Sequence, residues 1–394
     1  MRYFSVRLNE RLVGHLQVFA EDERTIFRFA EAWLEAPDRP TLGQFFEDRR
    51  PDPIDHSGFM SWFSNLLPQG AWASLLERTL GLEEQGEYLE ALGADLPGAV
   101  IVERFNPIDE PSTPEAPGRQ IPTFSLAGAQ GKMSGRQGEG GYVVPLSGDE
   151  GDLVLKLESP DYEDLPRREF LASLWARHSG LTTPDTRLEP DEKLPEAAQI
   201  FTKLPRGHFF VSRRFDRQLG GPRIHYEDFA QVLGRPPSQG GIYTGRYEDL
   251  AVIVRELAPD DRGEFLGRIV HMVARGDFDG HLKNWALIYE DGRTPRLSPA
   301  YDLVPTVLYP PSKIDHEWAL ELGGSREDED WSLARFAPII ESLGLSEIDG
   351  ARRLREWADR IAEALEAPEV SEQATSAELS LLERRATSLA QALR

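Results

Sequence analysis

Residues 276–306, GDFDGHLKNWALIYEDGRTPRLSPAYDLVPT, decide how the rest of the chain is read. Asp279 is followed five positions later by Asn284, then by the apolar run from Trp285 to Tyr289, an Asp291-Gly292 turn, a short return segment and Asp302. An Asp-Gly pair between apolar runs predicts a hairpin, which brings Asp302 back toward the loop the chain has just left. A phosphoryl-transfer site needs one carboxylate to orient and deprotonate the attacking hydroxyl, and oxygen ligands that hold magnesium against nucleotide phosphates. Asp279 can supply the first, and Asn284 with Asp302 the second. Asp followed at the fifth position by Asn is the spacing of a kinase catalytic loop, although the spacing by itself recurs by chance in many chains.

The wording DGHLKN followed by LSPAYDLVPT resembles the signature of the HipA family of serine/threonine kinases, the toxin partners of bacterial toxin-antitoxin pairs. The resemblance implies an α+β, two-lobed protein-kinase-like fold: a small β-rich N-lobe, a mainly helical C-lobe and an additional N-terminal subdomain. It implies Mg-ATP as the cofactor, Asp279 as the base, and Asn284 and Asp302 as magnesium ligands. It also places His281, Lys283 and Tyr301 in or beside the nucleotide site. By residue chemistry, a histidine in such a loop is more often a structural hydrogen-bonding group than a proton carrier, whereas Lys283 can neutralise the transferred phosphate.

Composition bounds the remainder. The 394 residues suffice for two or three domains, and 40% hydrophobic with 28% charged content is that of ordinary globular protein. The chain has no cysteine, which excludes disulfides and thiolate metal sites and is compatible with a reducing cytosol. No run approaches the roughly 18 apolar residues of a membrane span, and MRYFSVRLNE lacks a secretory apolar core, so a cytoplasmic location without membrane association is expected. A formal charge of −23 opposes nucleic-acid binding through bulk electrostatics, so any DNA contact is expected to be local or through a partner.

At the N-terminus, Phe4, Val6 and Leu8 alternate with polar residues, a turn follows at Asn9 to Arg11, and Leu12 to Val18 is again apolar, which reads as a hairpin. Phe59, Trp62, Phe63 and Leu66 fall on one face of a helix that Pro68 closes, a pattern of core packing. The segments FSNLLPQG (63–70) and LGADLPGAVIV (92–102) resemble the N-terminal domain that accompanies HipA-type kinases. Four prolines between residues 106 and 120 mark a linker. The expected division is 1–105 for the N-terminal subdomain, 106–120 for the linker, 121–215 for the N-lobe and 216–394 for the helical C-lobe.

Beyond the linker, FSLAGAQGKMS (124–134) offers small residues where backbone can approach phosphates, and a lysine to meet their charge. Its wording resembles the phosphate-binding loop of HipA kinases, which implies ATP contacts at Ala127, Gly128, Ala129, Gln130, Gly131 and Lys132 and self-phosphorylation at Ser125. Better-known members carry Glu or Pro at the position of Gly131, and Ser134 offers a second hydroxyl, so either serine is a candidate. Asp152 to Glu158 reads as a strand carrying Lys156, either an edge lysine in solvent or one reaching phosphate oxygens. Glu169, in a helix expected from Arg167 to His178, suits the glutamate that orients a kinase lysine. Strands expected at Gln199–Lys203 and Phe209–Phe215 complete a small antiparallel sheet. The resemblance makes Arg213, Arg214 and Phe215 the hinge beside adenine, with backbone groups reading the base.

A helix from about Asp261 to Ala274 puts Leu266, Ile269, Val270 and Val273 on one stripe beneath the loop of Asp279. Two amphipathic helices end the chain, on Leu354, Trp357, Ala358, Ile361 and Leu365 and on Leu379, Leu382, Ala386, Leu389 and Leu393. The acidic run Glu327 to Asp330 reads as a solvated loop or a surface for a basic partner. Archetypal HipA kinases phosphorylate an aminoacyl-tRNA synthetase and are held by a small helix-turn-helix antitoxin, HipB, that carries them to operator DNA. Two other readings stay open from the residues: a small-molecule phosphotransferase of the aminoglycoside or homoserine kinase type, and a catalytically silent nucleotide-binding partner of an antitoxin.

Overall fold

The structure, a computed structural model, describes residues 1–47, 53–106, 132–138, 141–143, 151–159, 161–194, 207–218, 220–238, 240–329 and 331–394. The chain opens with the expected hairpin, β1 (Arg2–Leu8) against β2 (Arg11–Val18). Its tight turn places Asn9 at φ +50°, a conformation that a short polar side chain tolerates. With β3 (Thr25–Phe29), β4 (Ile54–His56) and β5 (Val100–Arg104) these strands form an antiparallel sheet ordered β4-β3-β2-β1-β5. Alternation of apolar and polar residues buries Phe4, Val6 and Leu8 on one face.

The aromatic stretch after Gly58 departs from the amphipathic helix its spacing predicts. Only Ser61–Ser64 is helical, and all four residues are buried, because Phe27, Phe46 and Trp62 pack around Phe63 from several sides. A full-length amphipathic helix begins past Pro68, at Gly70–Leu80. The short buried turn ends at Asn65, itself buried.

A second antiparallel sheet contains β6 (Lys132–Gly138), β7 (Gly141–Val143), β8 (Leu153–Lys156), β9 (Thr186–Pro190) and β10 (His208–Arg213), ordered β7-β6-β8-β10-β9. The helix Leu165–His178 packs against β9 and β10. β6 and β9 carry no strong sequence signal, being respectively glycine-containing and proline-ended. The strand expected at 199–203 and the loop residues Ser125 and Ala127 to Gly131 lie outside the described residues, as does the linker from 107 onward. Both sheets share one apolar core in which Phe4, Trp62 and Leu89 meet Met133, Leu155 and Phe209, so the proline-rich segment separates two sheets without separating two cores.

The remainder is mainly helical around a second core. The helix Arg262–Arg275 runs through its centre, with Leu266, Ile269, Val270 and Val273 all sealed from solvent. Tyr247–Leu257, Glu347–Ala364 and Ser376–Ala392 pack against it, and Leu333–Ser342 packs on the first two of these. The predicted hairpin forms as β12 (Ala286–Tyr289) and β13 (Arg296–Leu297), with β11 (His225–Asp228) on the other side of β12. Gly292 takes φ +81° at the turn, and Asp291 accepts from the amides of Arg293 and Thr294 at 2.8 and 2.7 Å. Within the acidic run, Asp328 is consumed by Arg385 at 2.6 Å instead of standing free in solvent. Among the described residues no helix is long and apolar enough to cross a membrane.

Candidate active site

The loop of Asp279 is held from below and behind. Helix Arg262–Arg275 stops at Gly276, whose left-handed φ of +63° and contact with Val307, 2.6 Å from where a Cβ would stand, leave room for glycine alone. The carbonyl of Gly276 accepts from the Val307 amide at 2.9 Å and from Thr306 Oγ1 at 3.0 Å, while Thr306 Oγ1 accepts from the Phe278 amide at 2.6 Å. The far end of the opening stretch thus pins its beginning. Asp277, buried against Arg275 at 2.6 Å, accepts from the Asp279 amide at 3.1 Å. Burial pushes the Asp277 carboxyl up from its ordinary value despite the arginine.

The Gly280 carbonyl accepts from Tyr247 Oη at 2.9 Å and Trp285 Nε1 at 3.3 Å, and a Cβ there would come within 2.9 Å of Met272 Sδ. Asn284 Nδ2 donates to the Asp279 carbonyl at 3.1 Å, closing the loop on itself. Asp279 itself is exposed, with Oδ1 accepting from Tyr243 Oη at 3.0 Å. Tyr243 also meets the His281 ring edge to face at 5.1 Å, and His281 Nδ1 is buried without a partner. Sequence reading missed Tyr243 and Asp277: the first lies 36 residues away in a glycine-rich loop, and the second reads as one more acidic loop residue.

The hairpin delivers Asp302 to the same place. Tyr301 Oη donates to the Lys283 carbonyl at 2.7 Å, and Gly280, Asn284, Tyr301 and Asp302 line one narrow cleft. Asp302 sits at φ +55°, an uncommon conformation for a non-glycine residue and one that concentrates at functional sites. Its Oδ1 accepts from Lys156 Nζ, and its Oδ2 lies 3.5 Å from Lys132 Nζ. Lys156 also bonds Glu169, which is 1% exposed, so the β8 lysine faces inward and not into solvent. β6 and β8 set Lys132 directly beside Lys156 in register.

These charges tune one another. Burial opposes ionisation of Asp302, but Lys132 and Lys156 more than offset it and hold the carboxyl well below the ordinary carboxylate range. Burial likewise opposes the Lys156 ammonium, yet Asp302 and Glu169 push it up to about 12. Lys132, with a single and longer carboxylate contact, is pulled down by burial. Glu169 is raised to about 7 by burial, which its lysine only partly counters. The site therefore presents an ionised Asp302 on a cationic backing.

At the segment expected to form the hinge, Phe215 packs against Tyr226 and Tyr301, at 5.0 and 5.5 Å between ring centres. A cavity of about 420 Å³ opens there, lined by Pro184, Asp185, Arg213, Arg214 and Phe215 among others. Arg213 is exposed at its mouth. Arg214, expected beside adenine, turns its guanidinium inward: it is 3% exposed and pairs with Asp216 at 2.8 Å and Asp95 at 3.7 Å. Arg214 Nη1 also donates to Ser134 Oγ at 3.3 Å, and Ser134 is fully buried, so its hydroxyl is not presented for modification here.

Lys283 also departs from expectation. Its ammonium, anticipated at the transferred phosphate, is buried and bonds Asp228 Oδ2 at 2.7 Å, the Asn65 carbonyl at 2.7 Å and Asn65 Oδ1 at 3.3 Å. The physical reason is that the turn Leu282–Asn284 brings this side chain to Asn65 of the N-terminal domain and to Asp228, whose acceptors satisfy its charge.

Comparison with known proteins bears on this arrangement. Residues 4–103 match the HipA N-terminal domain family, and residues 124–368 match the HipA-like C-terminal domain family. The chain belongs to the HipA family. Two proteins of Sinorhizobium fredii that carry kinase names are similar to it: Y4dM, 36% identical over 84% of each chain, and Y4mE, 25% identical over 93% of this chain and 91% of that one. The Shewanella oneidensis HipA, solved with HipB and operator DNA, superposes over 99% of this chain and 96% of its own with a TM-score of 0.70 at 19% identity. The α+β, two-lobed architecture is thus that of a HipA-like kinase fold, in a family of HipA-like kinases.

Proposed function

We propose that the protein transfers the γ-phosphate of ATP to a serine or threonine hydroxyl of a protein. The observation that carries this reading is that Asp302, paired with Lys156 and through it with Glu169, lines one cleft with Asn284, whose amide in turn bonds the carbonyl of Asp279. Asp279, exposed and held through its amide and Oδ1, orients the acceptor hydroxyl and takes its proton. Lys156, held by Glu169, and Lys132 place positive charge where phosphate oxygens gather.

A magnesium ion fits the donors present. Asn284 spends its Nδ2 on the Asp279 carbonyl, which leaves Oδ1 as the free end of the amide, and the low pKa of Asp302 keeps that carboxylate ionised. Both are hard oxygen ligands of the kind magnesium takes alongside phosphates and water. When bound, the ion would neutralise charge on the phosphates.

The remaining assignments follow the family reading. Ala127 to Lys132 cover the phosphates, Phe215 and the hinge backbone meet adenine, and Ser125 is the self-phosphorylated serine. The division into 1–105, 121–215 and 216–394 gives an N-terminal subdomain and two lobes. A HipB-like helix-turn-helix antitoxin is the regulatory partner; the Shewanella HipA was solved with one, and a net charge of −23 suits DNA contact through such a partner. An aminoacyl-tRNA synthetase in the cytoplasm is the substrate class.

The test is a kinase assay with ATP and magnesium on the wild type and Asp279→Asn, with mass spectrometry of the protein and of a bacterial lysate. Phosphoprotein from the wild type and its loss in the variant are expected, with Ser125→Ala removing the self-phosphorylated peptide. Label confined to small molecules would move the reading to a small-molecule phosphotransferase. Equal labelling by both proteins would remove Asp279 as the base.

A further inference from the structure

We propose that the N-terminal sheet domain is a working part of this site: Asn65, acting through Lys283, fixes the loop that carries Asp279 and Asn284. The proposal rests on the reading of that loop as the phosphotransfer loop. Lys283 stands between the two functional positions, next to Asn284 and four residues after Asp279. An ammonium has three donors, and the three acceptors it finds here belong to buried residues that do not line the cleft: the Asn65 carbonyl at 2.7 Å, Asn65 Oδ1 at 3.3 Å and Asp228 Oδ2 at 2.7 Å.

The acceptors are themselves fixed. Asn65 is 1% exposed, and its Nδ2 donates to the carbonyls of Ser61 at 2.9 Å and Arg235 at 2.7 Å, so it stitches the N-terminal domain to the helical lobe before it receives the lysine. Asp228 Oδ1 caps the short helix Phe229–Val232 through the Gln231 amide at 2.8 Å. The opposite end of Lys283 is held too, since its carbonyl accepts from Tyr301, the neighbour of Asp302.

One residue is therefore clamped at its side chain by Asn65 of the N-terminal domain and at its backbone by Tyr301 in the segment that carries Asp302. A charge this deeply buried stays where its partners are, because leaving them unpaired is costly. Asn65 and Lys283 are accordingly positioning residues: they touch neither phosphate nor acceptor, and they set where Asp279 and Asn284 stand. Small displacements of such groups are enough to slow a reaction strongly.

The experiment uses the full-length protein with Asn65→Ala, Lys283→Met and the double variant. Steady-state phosphotransfer, melting temperature and hydrogen exchange of the peptide covering 279–284 are followed in each. The expected result for Asn65→Ala is a kcat about tenfold lower with KM for ATP within about twofold, and faster exchange across 279–284. The double variant should be no slower than Lys283→Met alone, because both break one clamp. A folded Asn65→Ala protein with unchanged kcat and exchange, or strictly multiplicative losses in the double variant, would overturn the proposal.

If Asn65→Ala does not fold, exchange of the wild type in subdenaturing urea decides. Amides of 61–67 and 279–284 should open together, and loop amides that open while 61–67 stays closed would overturn the clamp. A wild type that transfers no phosphate would sink the kinase reading alone, because the exchange measurement still tests the coupling.

Discussion

Lys156 and Lys283 are both buried and both pair with carboxylates, and the surroundings give them opposite roles. Lys156 bonds Glu169 on its sealed side and Asp302 on the other, where the Asp302 side chain keeps 27% of its surface accessible. Lys283 bonds Asp228 and Asn65, both closed off from solvent. The pairings are chemically alike, and only the first opens onto a place where a ligand can enter. Access, more than charge pairing, separates a lysine that acts on a substrate from one that holds the machinery in place.

The largest effects should expose that contrast directly. Asp302→Asn removes the carboxylate on which two lysines converge, and phosphotransfer should fall about a thousandfold, as expected when a preorganised charge is lost. It should also lose the thermal stabilisation by Mg-ATP, worth about 3 kcal/mol in wild type at a hundredfold excess over Kd. Lys283→Met should behave in reverse, lowering stability by about 3 kcal/mol through the stranded Asp228 while keeping the shift caused by Mg-ATP. Thermal melts with and without nucleotide read both quantities. A Lys283→Met protein that keeps its stability but no longer responds to nucleotide would erase the distinction.

The interface around Lys283 also contains a carboxyl with no cation beside it. Glu227, fully buried in β11, accepts from Trp62 Nε1 at 3.1 Å, the Gln44 amide at 2.8 Å and Tyr289 Oη at 2.6 Å, joining the N-terminal domain to the helical lobe. Burial raises it to about 7, more than its three donors bring it down. The folded state therefore holds this proton more tightly than the unfolded chain, whose glutamate titrates near 4.3. Stability from this group is complete below that unfolded value and is lost as pH rises through about 7. The loss is on the order of 4 kcal/mol in size. Unfolding measured from pH 4.5 to 8 should show the decline, and Glu227→Gln should flatten it even if it lowers stability throughout. An unaltered slope in the variant would mean that this carboxyl is ionised in the folded state and belongs with Asp302.

How much of this the sequence discloses depends on the range over which each contact acts. The hairpin around Asp291-Gly292, the buried stripe of helix Arg262–Arg275 and the amphipathic C-terminal helices are local patterns, and each forms where periodicity places it. Lys156 with Glu169 is legible because strand and helix adjoin in the chain. The partners of Lys283 are not legible because its three acceptors lie 55 and 218 residues away, and a loop lysine carries no local mark of which way it points. Arg214 turned inward for the same reason, drawn to Asp95 and Asp216. The aromatic run around Trp62 has helical spacing, yet burial on every side leaves it a single turn.

The smallest expected effect concerns Tyr243, which reaches Asp279 from a loop that no motif flags. Its hydroxyl donates to Oδ1 at 3.0 Å, while the Asp279 amide is held by Asp277, so the carboxylate is anchored at one oxygen and its backbone. That leaves Oδ2 for an acceptor hydroxyl. Burial and the nearby Asp279 charge both raise the Tyr243 phenol, which therefore stays a donor across the working pH range. Tyr243→Phe removes one hydrogen bond to a partly solvated carboxylate, and kcat should fall about fivefold, near 1 kcal/mol, with KM for ATP unchanged. The same change should not alter exchange of the 279–284 amides, because the clamp at Lys283 is untouched. A rise in kcat would instead make the phenol an occupant of the acceptor position, displaced by substrate before phosphate moves, and the ring beside His281 would then be a gate on the open lysine's side of the molecule and no part of its scaffold.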